Sequence, residues 1–349
     1  MNIDPLLFNS PVTPQERTAF VQKFYPEHRT AKPTIIVGSV VAGVALAVLL
    51  LGALVPDAFA VIFGVTLLAF VTSFFVIVFR FFAEIDFNIR TDTSIKAYRF
   101  ATANNLAFVP EITNPRRSGF VFSNPNARTP SIRDSIMSTN GHPFEIGNYY
   151  YIIGSGRNQT ERRIGFMRIA LEKNLPHMVL DTTADDTKFF GFRQSNLGMS
   201  FTKDQAMRLE GNFNDYFTLY APKEYETDAL YVFTPDLMAR LIDNSHAFNA
   251  EIVDDSLYIY STDYMHLDRA ETYEKLFGIF DTVGSKALKQ TRNYTDTRSQ
   301  VRGDVATQGR RLNKRSSLAI GSVVLLVYLA YSMPVIGHSI EQILNKIFW

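Results

Sequence analysis

Three long apolar runs without a charged residue constrain this chain more than any other feature. They cover residues 34–55, 58–79 and 316–337, and each is 22 residues long. As an α-helix, a run of this length extends about 33 Å, which is enough to cross a bilayer core of about 30 Å. The sequence therefore predicts three membrane-spanning helices, with a polar segment between the second and the third.

Basic residues predict the orientation of these helices. They precede the first run, follow the second and precede the third, whereas the connection Pro56–Asp57 has none and the tail has only Lys346. Basic residues near membrane spans favour the cytoplasmic side. We therefore expect a multi-pass protein of a bacterial inner membrane, with its N-terminus and polar segment in the cytoplasm and its C-terminus outside.

The last basic cluster before the third run has two interpretations. It consists of Arg310, Arg311, Lys314 and Arg315. Orientation of the third helix alone would account for these charges, but a basic segment beside a membrane also binds anionic lipid headgroups. The two roles are compatible, and membrane lipids are therefore expected partners.

The apolar runs and the segments between them predict the domain organisation. Residues 1–33 form a cytoplasmic N-terminal segment, in which Thr13 and Glu16 are the two ends of a capping box that opens a short helix. The remaining parts are a transmembrane hairpin (34–82), a soluble α+β domain (83–288), a basic linker (289–315), a third transmembrane helix (316–337) and an amphipathic tail (338–349).

Hydrophobic periodicity within the soluble domain predicts an α+β fold built on an antiparallel sheet. No strand–helix–strand alternation supports a doubly wound nucleotide-binding fold. The local predictions are a helix start at 92–94, a loop over 110–143, a hairpin over 163–182, strands at 144–153, 217–220 and 229–233, helices from 235 and over 268–288, and a hairpin over 251–260 with its turn at Asp254–Asp255.

Three stretches of this domain resemble a known group of proteins. They are Leu175–Asp181, Leu209–Pro222 and Asp228–Met238. Here, within roughly 95–262, the chain is similar to actinobacterial-type integral membrane proteins that have an N-terminal transmembrane hairpin and a soluble domain of unknown function. The resemblance implies a bacterial inner-membrane location and brings no catalytic residues with it.

Composition excludes several kinds of chemistry. The chain has no cysteine, which excludes disulfides, thiol nucleophiles and cysteine metal sites. The formal net charge of +1 gives no general attraction to polyanions, so no nucleic-acid partner is expected. The glycine-rich stretch Gly154–Arg157 lies between predicted strands and lacks the pattern of a phosphate-binding loop, so it is interpreted as a turn.

Four polar residues are candidates for a ligand-binding site: His177, Asp181, Glu210 and Asp228. Carboxylates at strand ends can act as a general acid and base, and a histidine can join them. The same residues are equally typical of capping and structural hydrogen bonds. Neither a metal site nor a cofactor is expected, because the nearest second histidine, His142, lies 35 residues from His177.

The favoured hypothesis is a membrane-anchored binding or scaffold protein whose cytoplasmic domain engages a protein partner, a lipid headgroup or a small ligand. The alternative is a membrane-associated hydrolase that uses carboxylates of the domain. A further alternative is a self-assembling channel or scaffold, because Ser39, Gly43 and Ala47 form a small-residue ridge that lets helices approach closely. Packing inside the hairpin would also explain this ridge.

Overall fold

The computed structural model describes most of the chain. It covers residues 1–28, 32–52, 59–138, 140–141, 143–182, 187–189, 192–194, 201–209, 211–243, 248–261, 264–301 and 303–314. The predicted third apolar run and tail, residues 316–349, lie outside the described residues, as do Glu210 and Arg315.

Helices form the N-terminal part of the structure. They are α1 (Leu6–Asn9), α2 (Pro14–Phe24), α3 (Lys32–Gly52) and α4 (Phe59–Ala103). The predicted start of α2 is confirmed, because Thr13 Oγ1 accepts a hydrogen bond from the amide of Glu16 at 3.2 Å. This bond satisfies one of the amides that a helix leaves unpaired at its first turn.

The helix α4 is continuous over 45 residues, which corresponds to about 68 Å. Its first half is the second apolar run, and its last turns enter a folded core, where Ile95 and Phe100 are buried. The prediction that a new helix begins at 92–94 is therefore wrong. Ser94 does not cap a helix, because its hydroxyl donates to Asp134 on a neighbouring strand.

Within the described residues, one helix is long and apolar enough to cross a membrane, and it is α4. The apolar stretch Thr34–Val48 of α3 is shorter. The two helices pack closely at Gly38, where an added Cβ would lie 2.8 Å from Ile77 Cγ1. The helix α3 therefore contacts α4 through Gly38.

The small-residue ridge of α3 does not form this contact. Ser39, Gly43 and Ala47 are all exposed, and a Cβ added at Gly43 would meet nothing within 4 Å. Packing inside the hairpin therefore does not account for the ridge in the part of the chain that the structure describes.

The predicted α+β fold class is confirmed by a large antiparallel sheet of seven strands. The strands of the chain are β1 (Ala107–Thr113), β2 (Arg128–Ser138), β3 (Phe144–Ile153), β4 (Thr160–Thr182), β5 (Thr187–Phe189), β6 (Phe192–Gln194), β7 (Ala206–Met207), β8 (Phe217–Tyr220) and β9 (Asn249–Ser261). The sheet order is β1-β2-β3-β4-β8-β7, and β9 also pairs with β4, whereas β5 and β6 pair with each other.

The predicted loop over 110–143 is wrong, because β1 and β2 occupy much of it and pair antiparallel. Its proline-rich composition is accommodated by an irregularity in β2. The pairing of β2 with β3 shifts between Arg128 and Ser131, and Thr129 has a φ of 46°. A bulge of this kind releases Pro130 from the hydrogen-bond ladder, which it cannot join as a donor.

The predicted hairpin over 163–182 is also wrong, because β4 is one strand of 23 residues. Its register with β3 ends at Ile169, and its register with β8 begins at Val179. Pro176 lies between these two ladders, where neither β3 nor β8 requires its missing amide proton. The polar stretch that resembles a turn is the part of β4 where pairing with β3 has ended and pairing with β8 has not yet begun.

The second predicted hairpin, over 251–260, is wrong for a related reason. β9 runs straight through Asp254–Asp255, and Asp254 has a φ of 52°. Aspartate tolerates this left-handed conformation better than most residues do. The strand therefore contains a local irregularity at this point where the sequence suggested a turn.

Further helices occur among the described residues after β7. They are α5 (Phe213–Tyr216), α6 (Glu226–Val232), α7 (Pro235–Asp243), α8 (Ala270–Ile279) and α9 (Ser285–Thr291), and a π-helical turn, Phe280–Gly284, joins the last two. The helices expected from 235 and over 268–288 are confirmed, as are the strands at 144–153 and 217–220. The strand expected at 229–233 is wrong, because these residues belong mostly to α6.

The chain divides into two compact units. Among the described residues, the first contains 1–171 and 256–289, and the second contains 172–255 and 290–314. In the first unit, the ring of Phe100 on α4 stacks on that of Tyr273 on α8, with the ring centres 3.8 Å apart. In the second, Val179, Phe201 and Leu312 form a buried apolar cluster, so residues before the third apolar run belong to a core.

Candidate functional site

His177 is buried in β4 and forms a pair with Glu251 of β9. Its Nε2 lies 2.8 Å from Glu251 Oε1, and the Glu251 side chain is fully buried. The amide of Leu312 donates to His177 Nδ1 at 2.9 Å. Because Nδ1 accepts, Nε2 carries the proton and donates it to Glu251. His177 therefore connects two distant parts of the second unit.

The other predicted carboxylates do not join His177 in one site. Asp181 is buried at the end of β4, opposite Thr218 of β8, and Glu210 lies outside the described residues. Asp228, on α6, accepts hydrogen bonds from the Tyr294 hydroxyl at 2.7 Å and pairs with Arg298 at 3.1 Å.

The Asp228 network attaches the predicted basic linker to the second unit. Arg298 lies over the ring of Tyr225, and the Tyr225 hydroxyl donates to Asp296 at 2.7 Å. Burial alone would raise the pKa of Asp296, but the amide of Ala306, the Tyr225 hydroxyl and Arg298 together lower it. Asp296 is thus an ionised anchor for the chain segment around it.

The basic cluster near the third apolar run is also engaged internally. Arg310 pairs with Asp304 at 2.6 Å, and Arg311 forms two hydrogen bonds with Asp254, at 2.7 and 2.8 Å. Lys314 pairs with Phe201 through an isolated β-bridge. These contacts place the residues predicted for lipid headgroups along the surface of the second unit.

A different set of residues forms a cleft of about 400 Å³ in the first unit. We call it the juxtamembrane cleft, because α4 supplies one wall directly after its apolar part. Its lining comprises Tyr25, Asp86, Phe87, Ile89, Arg90, Thr91, Thr93, Ser94, Pro110, Glu111, Arg133, Asp134, Tyr150, Arg163 and Tyr264. The opposite wall is therefore formed by the strands β1 to β4.

Asp134 is the most unusual group in this cleft. It is buried, has a φ of 54° and lies at a second register shift of β2, between Arg133 and Ile136. Such a bulge redirects a side chain. Here the carboxylate accepts a hydrogen bond from Ser94 Oγ at 2.5 Å and so joins β2 to α4.

Burial raises the pKa of Asp134 to about 6. The Ser94 hydrogen bond and the charge of Arg133 oppose this shift, while Asp268 and Glu111 add to it. A carboxyl group with a strongly shifted pKa inside a cleft is a frequent mark of a functional site.

Arginines give the juxtamembrane cleft its capacity for anions. The Arg133 guanidinium lies 4.1 Å from the centre of the Tyr150 ring, and its contact with Glu111 is 3.8 Å long. Arg90 and Arg163 have shorter ion pairs, at 2.7 Å each, with Asp86 and Glu161. Arg133 therefore has the loosest ion pair of the three, and its fork suits a phosphate or carboxylate.

Tyrosine hydroxyls add neutral hydrogen-bond donors. Burial raises the pKa of Tyr25 to about 12, and it also raises the pKa values of Tyr150 and Tyr264. All three hydroxyls therefore keep their protons at neutral pH. The arrangement can bind a polar ligand with an anionic group, whereas no three His, Asp or Glu side chains within the described ranges form a metal-binding group.

The sequence does not predict this cleft, because the composition of 110–143, which contains Arg133 and Asp134, is typical of a loop. One signal was present. Ile132 and Ile136 flank Asp134 at alternate positions, so an ionisable residue occupies the apolar side of a short strand pattern.

Comparisons with known proteins add little to this geometry. No family model matches the chain, and no curated protein matches it. A solved structure with some similarity is the crystal structure of the mycobacterial trehalose monomycolate transport factor A, TtfA. The similarity covers 58% of this chain and 93% of that chain, with 8% identity and a TM-score of 0.32.

Proposed function

We propose that the chain is a membrane-anchored binding protein that holds a polar, anionic ligand in the juxtamembrane cleft. One observation carries this proposal: the cleft lies on α4 immediately beyond the segment long and apolar enough to cross a bilayer. Phe79 ends the uncharged run, and Asp86, the first cleft residue on α4, follows about 10 Å further along the helix.

Three helices, with the polar domain in the cytoplasm, form the architecture that we propose around this cleft. Support comes from the 22-residue length of the third run and from the basic residues on the domain side of all three runs. In this arrangement, the cleft faces the cytoplasmic surface of a bacterial inner membrane, where lipid headgroups and soluble phosphorylated molecules are both within reach.

The choice of an anionic ligand rests on Arg133. The Tyr150 ring orients its guanidinium, and the long contact with Glu111 leaves room for a stronger ion pair. Charge-assisted hydrogen bonds from arginine to phosphate are among the strongest polar contacts in proteins. Tyr264 and Asp134 provide further hydrogen-bonding groups for the remainder of the ligand.

The test uses full-length protein in mild detergent, with glycerol 3-phosphate as the probe and calorimetry as the measurement. We expect saturable binding, and Arg133→Gln should weaken it about tenfold or more, because a charged hydrogen bond is lost. The matched control is Arg292→Gln, which removes an exposed arginine paired with Glu172 in the other unit. Absence of binding, or equal affinity in both variants, would refute the proposal.

Nothing specific in the described residues favours the hydrolase alternative. His177 and Asp228, which that mechanism would bring together, belong to two separate hydrogen-bond networks. Each network also has a structural purpose, because it attaches residues between 294 and 312 to the second unit.

A further inference from the structure

The helix α4 remains apolar on one side after its charged residues begin. Beyond Arg80, it exposes Phe82, Ile85 and Ile89, of which Phe82 is 64% exposed and Ile89 is 62% exposed. Spacings of three and four residues place these side chains on one face of the helix. We call this face the apolar track.

Most of the apolar track lies beyond the bilayer core. Residues 59–79 already extend about 32 Å as a helix, which is the thickness of that core. Headgroups add only about 5–8 Å on each side. Ile85 and Ile89 lie about 9 and 15 Å past Phe79, so their exposed side chains reach the outer edge of the headgroup layer and pass it.

The apolar track leads directly into the juxtamembrane cleft. Ile89 belongs to both, since it is exposed on α4 and also lines the cleft beside Arg90. An apolar surface thus begins at the membrane and ends at a group of arginines, tyrosines and carboxylates. A lipid drawn partly out of the membrane would fit this order, with its acyl chain on the apolar track and its headgroup in the cleft.

We propose that the ligand of the cleft is a membrane lipid, with its headgroup at Arg133 and an acyl chain lying along Phe82, Ile85 and Ile89. This inference rests on the proposed function and deepens it. The acyl chain comes from the bilayer because the track is continuous with the membrane-spanning part of the same helix. A second copy of the chain or the third apolar run would be competing occupants, and the test distinguishes them.

The experiment uses the single tryptophan of the chain, Trp349, which is replaced by phenylalanine. A new tryptophan is then placed at Ile89 in full-length protein reconstituted in vesicles of phosphatidylglycerol and phosphatidylcholine with brominated acyl chains. Bromine quenches tryptophan fluorescence only at short range. Phe75→Trp, inside the membrane span, is the positive control, and Leu6→Trp, an exposed site in the same unit, is the negative control.

We expect the tryptophan at 89 to be quenched at least half as strongly as that at 75, and Arg133→Gln to reduce this quenching at least twofold. Quenching no greater than at position 6 would overturn the inference. Quenching unaffected by Arg133→Gln would also overturn it, because the helix would simply sit deeper in the bilayer. If glycerol 3-phosphate still bound in either case, the proposed function would stand without the lipid.

The competing occupants are tested with a cysteine at Ile89, which is unique because the natural chain has none. Rapid disulfide formation between two copies in vesicles would assign the track to a dimer interface and overturn the inference. A second cysteine at Ser316, at the end of the third run nearest to the domain, would do the same if it cross-linked within one chain to position 89. Failure of both cross-links, together with quenching that depends on Arg133, supports the lipid.

Discussion

At the scale of single residues, the buried carboxyl group of Asp134 makes the stability of the fold depend on pH. Its folded-state pKa of about 6 lies above the usual 3.8, so the folded protein binds this proton more tightly than the unfolded chain does. Stability from this group is therefore complete below about pH 4 and falls as the pH rises to about 6.

Asp134→Asn should raise thermal stability at pH 8, by an amount corresponding to about 1–3 kcal/mol. Asparagine removes the buried charge, can still accept the Ser94 hydrogen bond and tolerates the positive φ. At pH 4, the two proteins should melt at nearly the same temperature. Thermal melts across this pH range provide the measurement, with exposed Asp86→Asn as the control. A variant less stable than wild type at pH 8 would contradict the assignment.

His177 is a second residue whose contacts give a definite expectation. His177→Ala removes a donor from the buried carboxyl group of Glu251 and an acceptor from the Leu312 amide. We expect a loss of about 3 kcal/mol in the free energy of unfolding, because one half of a buried pair is lost.

A double-mutant cycle with Glu251→Ala separates this pair from general loss of packing. The double variant should be clearly less destabilised than the sum of the two single variants, since they share one interaction. Strict additivity in thermal melts would show that the two side chains do not interact energetically.

At the scale of elements, two glycines of α3 offer a matched comparison. A Cβ at Gly38 would approach Ile77 to 2.8 Å, whereas one at Gly43 would meet nothing within 4 Å. Gly38→Val should therefore lower the melting temperature in detergent, and Gly43→Val should leave it nearly unchanged. Equal effects of the two variants on the melting temperature would count against the packing of α3 on α4 described above.

The Gly43→Val variant also reports on self-assembly. Gly43→Val should change the mass of the detergent-solubilised particle, measured by light scattering, only if the exposed ridge with Ser39 and Ala47 contacts another copy. Because small residues let helices approach closely, a valine inside such a contact should lower the particle mass, and an unchanged mass would count against self-assembly through this ridge.

Local signals allowed several elements to be predicted from sequence, and distant pairings explain most of the failures. The start of α2 depends on Thr13 and Glu16, three residues apart, and was predictable. Pro176 and Asp254 resemble turn residues, so the sequence predicts hairpins where β4 and β9 are single strands. Only their long-range partners keep both strands extended.

The candidate site also depends on contacts between residues that are far apart in the sequence. Ser94 and Asp134 are 40 residues apart and meet only because α4 continues into the domain and β2 contains a bulge. Neither feature has a strong local signature. His177 was identified as notable from sequence, but its partner Glu251 is 74 residues away.

At the scale of the whole molecule, the segment expected to be a linker participates in folding the second unit. Val305 and Leu312 are buried, and the Leu312 amide donates to His177. Hydrogen exchange should therefore be slow at residues 305–313 and fast at the exposed turn 155–158. His177→Ala should accelerate exchange at Leu312 by at least tenfold, and fast exchange there in wild type would contradict the docking of this segment.

The unbroken course of α4 also limits how this sequence can change over time. Each residue inserted between Phe79 and Asp86 would raise the cleft wall by about 1.5 Å and rotate it by about 100°. Single insertions would keep Ser94 bonded to Asp134 but would carry Ile89 and the whole cleft around the helix axis, relative to the apolar span. Only a change of seven residues would nearly restore the facing, at a height about 10 Å different. The number of residues between the apolar span and the cleft thus sets the height and facing of the cleft above the bilayer. Natural variants should keep the length of this segment while its composition changes.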